Sequence, residues 1–138
     1  MRARTRTRRH TVRVEYTLPR AAASAGRARE LTTAFLARPH CRVAVFDQRR
    51  VHEATLVVSE LVANATEHGR SGCRLRLAVS ADRVIVEVDD DNPDRPQVRS
   101  GEDLAERGRG LAIVRHLSDS LEFIGAGEGK TVRAVLAG

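Results

Sequence analysis

Aromatic side chains are scarce in this chain of 138 residues: they make up 3% of the sequence, and tryptophan is absent. A core must therefore be built from valine, leucine, isoleucine and alanine, and the hydrophobic fraction of 41% suits one globular domain. No apolar run reaches the roughly 20 residues that a transmembrane helix needs, so we expect no membrane span. The N-terminal residues lack the apolar segment of a secretory signal, which predicts a cytoplasmic protein.

Cysteine and lysine are also rare. Cys41 and Cys73 have no partners at metal-ligand spacing, so we predict two unpaired, reduced thiols. Lys130 is the only lysine, and arginine carries nearly all of the positive charge. Much of the net charge of +6 comes from residues 1–10, a segment that could contact nucleic acid. Because it lacks interleaved aromatic residues, we predict a disordered basic tail over 1–10, a single domain over 11–138, and no direct nucleic-acid binding.

Hydrophobic periodicity divides the domain into strands and helices. The predicted elements are a strand over 11–18, helices over 20–37 and 47–68, a hairpin of strands over 73–79 and 83–88, a helix over 110–117, and strands over 120–125 and 130–137. Pro19 can open the first helix, Asp47 can cap the second, and Gly69 can end it. This order predicts an α+β fold, a two-layer sandwich whose helices cover one face of a largely antiparallel, mixed sheet.

The second predicted helix carries a polar stripe beside its apolar face. Glu60, Asn64 and His68 follow one another at four-residue steps, so each lies about 40° around the helix from the last. The neighbouring apolar stripe contains Ala54, Val58, Leu61 and Ala65. A carboxylate can orient or deprotonate a nucleophile, an amide oxygen is a hard ligand for Mg²⁺, and an imidazole can donate to phosphate. The stripe therefore indicates a site for a magnesium nucleotide at the rim of the core.

Three further segments place polar residues or glycines at the ends of elements. Three consecutive aspartates, 89–91, follow a strand, where a carboxylate can accept a hydrogen bond from the exocyclic amine of adenine. Gly108 and Gly110 precede a helix, whose first N–H groups favour anions such as phosphate. Thr131 offers a hydroxyl at the start of the last strand. Each motif is common by itself, and their combination in this order is specific.

The combination resembles the GHKL ATPase superfamily and, within it, the small RsbW-type anti-sigma-factor serine/threonine kinases, over the whole chain after residue 10. The resemblance implies the Bergerat ATP-binding fold, with ATP and Mg²⁺ as cofactors. It implies that Asn64 coordinates Mg²⁺, that Glu60 acts as general base or orients the attacking hydroxyl, and that His68 lies near the phosphates. Asp90 resembles the adenine-recognising aspartate, and Thr131 the threonine that supports this aspartate through a water molecule.

The same resemblance implies which residues surround the phosphates. They would lie against the segment formed by Gly108, Arg109, Gly110 and Leu111. An arginine beside this segment would neutralise charge during phosphoryl transfer. Arg107 matches the family arginine best, and Arg109 is the alternative.

Two features depart from the family pattern. The adenine-binding motif normally has two glycines after its aspartate, whereas this segment reads Asp90-Asp91-Asn92-Pro93-Asp94. We expect Asn92 to keep the first glycine's turn, because asparagine tolerates a left-handed backbone. The lid over the nucleotide would be short, covering only about 97–107. Strand alternation selects Asp90 over its neighbours, because it lies two residues beyond Val88.

The resemblance implies an ATP- and Mg²⁺-dependent protein serine/threonine kinase that phosphorylates a small antagonist protein and sequesters a sigma factor or a similar regulator. It also implies a homodimer, which the patterns of the first strand and helix do not themselves require. Three alternatives stay open. They are a non-catalytic nucleotide-gated protein-binding regulator, the ATPase domain of a histidine kinase, and a nucleic-acid binder that acts through the arginine-rich tail. The presence of Glu60 argues against the first, because a pure switch needs no catalytic carboxylate.

Overall fold

The computed structural model of the chain describes residues 11–38, 47–94 and 109–138. In chain order its elements are β1 (Val12–Leu18), α1 (Ser24–Leu36), α2 (Gln48–His68), β2 (Cys73–Val79), β3 (Arg83–Asp90), α3 (Arg109–Leu117), β4 (Ser120–Ala126) and β5 (Gly129–Ala137). The type and order of these elements agree with the sequence prediction. The predicted tail over 1–10, Cys41 and the predicted lid over 97–107 lie outside the described residues. No helix in the described ranges is both long and apolar enough to cross a membrane.

The strands form one sheet in the order β1-β2-β3-β5-β4, and each neighbouring pair is antiparallel. The predicted two-layer α+β sandwich is therefore confirmed, although the described strands make a wholly antiparallel sheet and not a mixed one. Because β5 lies between β3 and β4, the end of β3 runs beside the start of β5. In this register Asp90 pairs with Lys130, and Asp89 pairs with Thr131. Two predicted motifs thus meet at one end of the sheet.

The helices cover one face of the sheet. Along β2 and β3 the residues that face the helices are buried, and they alternate with more exposed ones, as a half-buried strand requires. The predicted stripe of α2 is buried in the same core, together with Phe35 from α1. This core consists mainly of valine, leucine and alanine, as the composition predicts.

The starts of the first two helices show where local prediction succeeds and fails. The carboxylate of Asp47 accepts a hydrogen bond from the backbone N–H of Arg50 at 2.8 Å, so Asp47 caps α2 as expected. Helix α1 begins at Ser24, later than predicted, because residues 20–23 form a turn. The Ser24 hydroxyl donates to the carbonyl oxygen of Pro19 at 2.6 Å. Pro19 therefore opens a turn and not the helix.

The opposite face of the sheet carries a row of alternating charges. The strand registers align Glu15, Arg76, Glu87, Arg133 and Glu122, in that order, across all five strands. Arg76 lies 3.3 Å from Glu87, and Arg133 lies 3.8 Å from Glu87 and 4.0 Å from Glu122. Opposite charges on facing strands stabilise a sheet and suit contact with water.

Arg50 joins the first turn of α2 to the distant ends of α3 and β5. Its guanidinium donates to the carbonyl oxygens of Leu117 and Ala137, each at 2.9 Å. It also contacts the carboxylates of Glu53 at 3.0 Å and Asp119 at 2.6 Å. The same oxygen of Asp119 accepts from the backbone N–H of Ala137 at 2.7 Å. Arg50 thus connects α2, α3 and β5 at the end of the sheet opposite to aspartates 89–91.

We expect Arg50→Ala to lower the free energy of unfolding by about 2 kcal/mol, because it removes several charge-assisted hydrogen bonds at once. Urea denaturation measures the change as a lower midpoint with an unchanged slope. Arg27→Ala is the matched control, since Arg27 is largely exposed and lies 3.5 Å from a similarly exposed carboxylate, that of Glu30. It should change stability by less than about 0.5 kcal/mol. Equal effects of the two substitutions would contradict a connecting role for Arg50.

Candidate nucleotide-binding site

The polar stripe of α2 lies at the edge of the buried face. Glu60 and Asn64 are half-buried, and His68 is exposed in the last turn of the helix. Their neighbours Leu61 and Ala65 point into the core, which fixes the rotation of the helix and hence the direction of the stripe. The predicted rim position is confirmed by this arrangement.

Glu60 lies directly against the first turn of α3. A Cβ atom added to Gly110 would be only 2.6 Å from Oε1 of Glu60. Glycine thus permits the contact, and a side chain at this position would displace the flexible carboxylate of Glu60. The fold thus brings together the helix stripe and the glycine segment, at a helix N-terminus whose free N–H groups favour anions.

The structure describes only part of the segment that is predicted to bind the phosphates. The backbone of Arg109 begins α3, and Gly110 follows it in the first turn. Leu111 is 3% exposed and belongs to the core, so only its backbone could face a ligand. The predicted residues Arg107 and Gly108 lie outside the described residues.

Two of the three aspartates at the end of β3 are held outside the core. Asp89 accepts two hydrogen bonds from the guanidinium of Arg76, at 2.6 and 2.8 Å. Asp91 accepts from the backbone N–H of Arg70 at 2.6 Å and from the hydroxyl of Ser71 at 2.8 Å. These bonds from Arg70 and Ser71 lower the pKa of Asp91. Asp89 thus joins β3 to β2, and Asp91 joins the start of the turn after β3 to the residues between α2 and β2.

Asp90, the central aspartate, points to the helix side and forms a buried ion pair with Lys130. The Lys130 Nζ lies 3.0 Å from Oδ1 of Asp90, and each side chain is 2% exposed. The ammonium also donates to the carbonyl oxygen of Asn92 at 2.9 Å. The backbone N–H of Asn92 donates to the same Asp90 oxygen at 2.8 Å. A Cβ atom at Gly129 would overlap the carbonyl oxygen of Asp90, so glycine permits this close approach of the strands.

Thr131 does not take the place that the sequence predicts for it. Its hydroxyl donates to Asp89 at 2.6 Å, on the open face of the sheet, and Lys130 occupies the position beside Asp90. The reason is strand alternation: in β5 the buried positions are Lys130 and every second residue after it. The same alternation confirms that Asp90 lies on the buried side with Val88. Counting parity back from the end of β5 would have identified Lys130.

Asn92 shapes the turn after β3, although not through a left-handed backbone. Apart from glycines, no described residue has a positive φ, so the expected left-handed conformation of Asn92 is wrong. Its side-chain amide instead donates to the carbonyl oxygen of His68 at 2.8 Å and accepts from the N–H of Asp94 at 2.9 Å. These hydrogen bonds hold the turn without the two glycines and attach it to the end of α2.

Comparison with known proteins gives the class of this site. Residues 18–136 match the family model described as the histidine kinase-like ATPase domain. The chain belongs to this family. The predicted membership of the GHKL superfamily is thereby confirmed, and ATP is the nucleotide that membership implies.

The fold of this ATPase domain is similar to that in the crystal structure of the RsbU and RsbW domains of Rv1364c from Mycobacterium tuberculosis. The two share 20% sequence identity with a TM-score of 0.67, and the match covers 91% of this chain. The chain spans 32% of the length of that larger chain. No curated protein sequence matches the present chain.

The donor atoms of the ATPase domain fit a metal that is held jointly with a nucleotide. Among the described residues, no group of three or more histidine, cysteine, aspartate or glutamate side chains could hold a metal ion. Mg²⁺ is usually bound by one or two protein ligands together with substrate phosphates, and not by an all-protein cage. The half-buried amide of Asn64, one turn from Glu60, offers an oxygen of the type that such a site uses.

Cys73 lies near Asp89 and Asp90, and their negative charges affect the pKa of its thiol. Burial of this free cysteine, together with the charges of Asp90 and Asp89, raises the pKa of its thiol to about 11 from 9.0. The unpaired thiol predicted for Cys73 is confirmed. Because the pKa is higher in the folded state, the thiol contributes fully to stability below pH 9.0 and loses that contribution as the pH rises toward 11.

We expect Cys73 to resist alkylation in the folded ATPase domain. In a Cys41→Ser variant, which leaves one cysteine, iodoacetamide at neutral pH should react about 100-fold more slowly than in the urea-unfolded chain, because the folded thiol ionises far less. Mass spectrometry over time gives both rates. Asp90→Asn should raise the folded rate, since it removes one of the charges that oppose ionisation. Equal rates in the folded and unfolded chains would contradict the raised pKa.

Proposed function

We propose that this ATPase domain is an ATP- and Mg²⁺-dependent protein serine/threonine kinase of the anti-sigma-factor type. The observation that carries the proposal is the contact between the carboxylate of Glu60 and the first turn of α3 at Gly110. A domain that only binds nucleotide needs no carboxylate where the phosphates would end. A kinase needs one there, to receive or orient the attacking hydroxyl.

The proposed nucleotide pose follows from the arrangement of the site. The adenine would lie at Asp90, and the phosphates at the N-terminus of α3, against the backbone of Gly108, Arg109 and Gly110. Two features support this pose: Asp90 is the inward-facing aspartate, and the N-terminus of α3 favours anions. Thr131 is not part of it, because its hydroxyl lies on the other face of the sheet.

Asn64, one turn along α2 from Glu60, would hold Mg²⁺. The backbone of His68 lies at the turn after β3, the base end of the site, so His68 is left out of the phosphate contacts that the resemblance implies for it. When bound, Mg²⁺ supplies positive charge to the phosphate oxygens. Glu60 would take the proton from the serine hydroxyl of the antagonist as the new oxygen–phosphorus bond forms. The bond between the terminal phosphorus and the ADP oxygen breaks in the same step, and Arg107 would neutralise the charge that develops.

The proposed partners are a small antagonist protein, which carries the serine, and a sigma factor or similar regulator. Phosphorylation would release the antagonist and leave the kinase free to hold the sigma factor. A homodimer belongs to the same proposal. The similarity to the RsbU and RsbW domains of Rv1364c supports the fold that such a kinase would need.

A non-catalytic, nucleotide-gated regulator is the second candidate, and one observation favours it. Asp90, which would read the adenine, is already paired with Lys130, and its turn lacks the family's two glycines. A domain with a restricted base site could bind nucleotide as a signal without transferring phosphate. The two candidates differ in what Glu60 does.

We expect Glu60→Gln to lower phosphate transfer at least about 100-fold, because it removes the group that receives the proton. The assay uses terminally labelled ATP, Mg²⁺ and small antagonist proteins encoded near this gene, with the labelled serine located by mass spectrometry. Calorimetric titration should show that the variant still binds ATP. Glu30→Gln, the same change on the exposed surface of α1, is the control and should transfer normally.

Two results would count against the kinase. If the unsubstituted domain binds ATP but labels none of the antagonists, the nucleotide-gated regulator becomes the better description. If Glu60→Gln transfers phosphate as fast as Glu30→Gln, the carboxylate beside Gly110 has no role in the reaction.

A further inference from the structure

Lys130 is the residue of this site that the proposed kinase mechanism does not use. It is the only lysine of the chain, and it is buried at the start of β5 with its ammonium against Asp90. Burying a charged pair is costly, and apolar residues of similar volume often give a protein equal or greater stability. A role in packing alone is therefore a weak explanation for a lysine at this position.

The ammonium of Lys130 has a donor to spare. A lysine carries three N–H donors. Within the described ranges two acceptors are present, Oδ1 of Asp90 at 3.0 Å and the carbonyl oxygen of Asn92 at 2.9 Å. One donor thus has no acceptor among the described residues.

The pair also has a fixed geometry. The backbone N–H of Asn92 donates to the same Asp90 oxygen at 2.8 Å, and the side chain of Asn92 is bonded to the end of α2. Gly129 allows β5 to approach the carbonyl oxygen of Asp90 closely. An acceptor and a donor are therefore held side by side, with little freedom to separate.

An adenine edge presents the complementary pair, because its exocyclic amine is a donor and the adjacent ring nitrogen N1 is an acceptor. We propose that Lys130 is a second base-recognising residue, which donates to N1 of adenine while Asp90 accepts from the amine. This inference rests on the proposed ATP site. It adds a specificity-determining residue where the sequence alone suggested the hydroxyl of Thr131.

With Lys130 in this role, the base is recognised without the motif's two glycines. The turn after β3 is held by Asn92 and by the ammonium of Lys130, so Asp90 stays in place. Recognition of N1 of adenine then requires a hydrogen-bond donor beside the carboxylate of Asp90, and the ammonium of Lys130 is that donor.

Two ATP analogues test the two contacts separately. The deaza analogue has a C–H group in place of N1, and the desamino analogue lacks the exocyclic amine. The full chain should bind the deaza analogue at least about tenfold more weakly than ATP, since a charge-assisted hydrogen bond is lost. It should also bind the desamino analogue more weakly, because Asp90 then loses its donor. Calorimetric titration in Mg²⁺ measures all three affinities.

The variant Lys130→Met tests whether Lys130 is the residue that donates to N1 of adenine. It should bind ATP at least about tenfold more weakly and should no longer distinguish ATP from the deaza analogue. It should still prefer ATP to the desamino analogue. Arg133→Met is the matched control, because it removes a cation from the same strand on the open face. That control should distinguish the deaza analogue as the unsubstituted chain does.

If Lys130→Met fails to fold because Asp90 is left unpaired, the double variant Asp90→Leu, Lys130→Met removes both charges together with the acceptor and the donor. It should respond to neither analogue. Equal binding of ATP and the deaza analogue by the unsubstituted chain overturns the inference while leaving the ATP site intact. Unchanged discrimination in Lys130→Met overturns it as well. Absence of any ATP binding overturns the proposed function itself, so the two failures are distinguishable.

Discussion

The antiparallel pairing of β3 with β5 is the constraint on which the site depends. Its register sets Asp90 beside Lys130 on the helix side and Asp89 beside Thr131 on the open side. Because side chains alternate along a strand, a shift of β5 by one residue would break both pairs and turn its buried side chains to the open face. The hydroxyl of Thr131 would then lie in the core, and Lys130 would be exposed to water. The chemistry available at the base of the site is therefore decided by main-chain hydrogen bonds between two strands.

Helix α2 is the second support, since it touches both ends of the site. Near its middle the carboxylate of Glu60 lies at the first turn of α3, where Gly110 leaves room for it. At its end the carbonyl oxygen of His68 accepts from the side chain of Asn92, which holds the turn after β3. One rigid helix thus sets the distance between the aspartate and the anion-binding turn. Arg50, at the other end of α2, keeps that helix in place.

Much of this could be predicted from sequence, because it depends on local periodicity. The alternation of β3 puts Asp90 inward, and the four-residue steps of α2 place Glu60 and Asn64 at the rim of the core. The errors were contacts between distant segments. Thr131 was assigned to the wrong aspartate, and Asn92 was expected to adopt a left-handed backbone that it does not have. Parity along β5 identifies Lys130 as the inward-facing residue, whereas the bond from Asn92 to the end of α2 depends on how distant elements pack.

The composition of the core, the order of the elements and the residue types available for a magnesium nucleotide can all be read from the sequence. These follow from the solubility of side chains and the repeat of each regular element, which are properties of neighbouring residues. The ion pair of Lys130 with Asp90 and the contact of Glu60 with Gly110 are visible only in the folded domain. Those contacts join residues far apart in the chain, and they depend on strand order and helix packing, which minimise the exposed apolar surface of the whole domain.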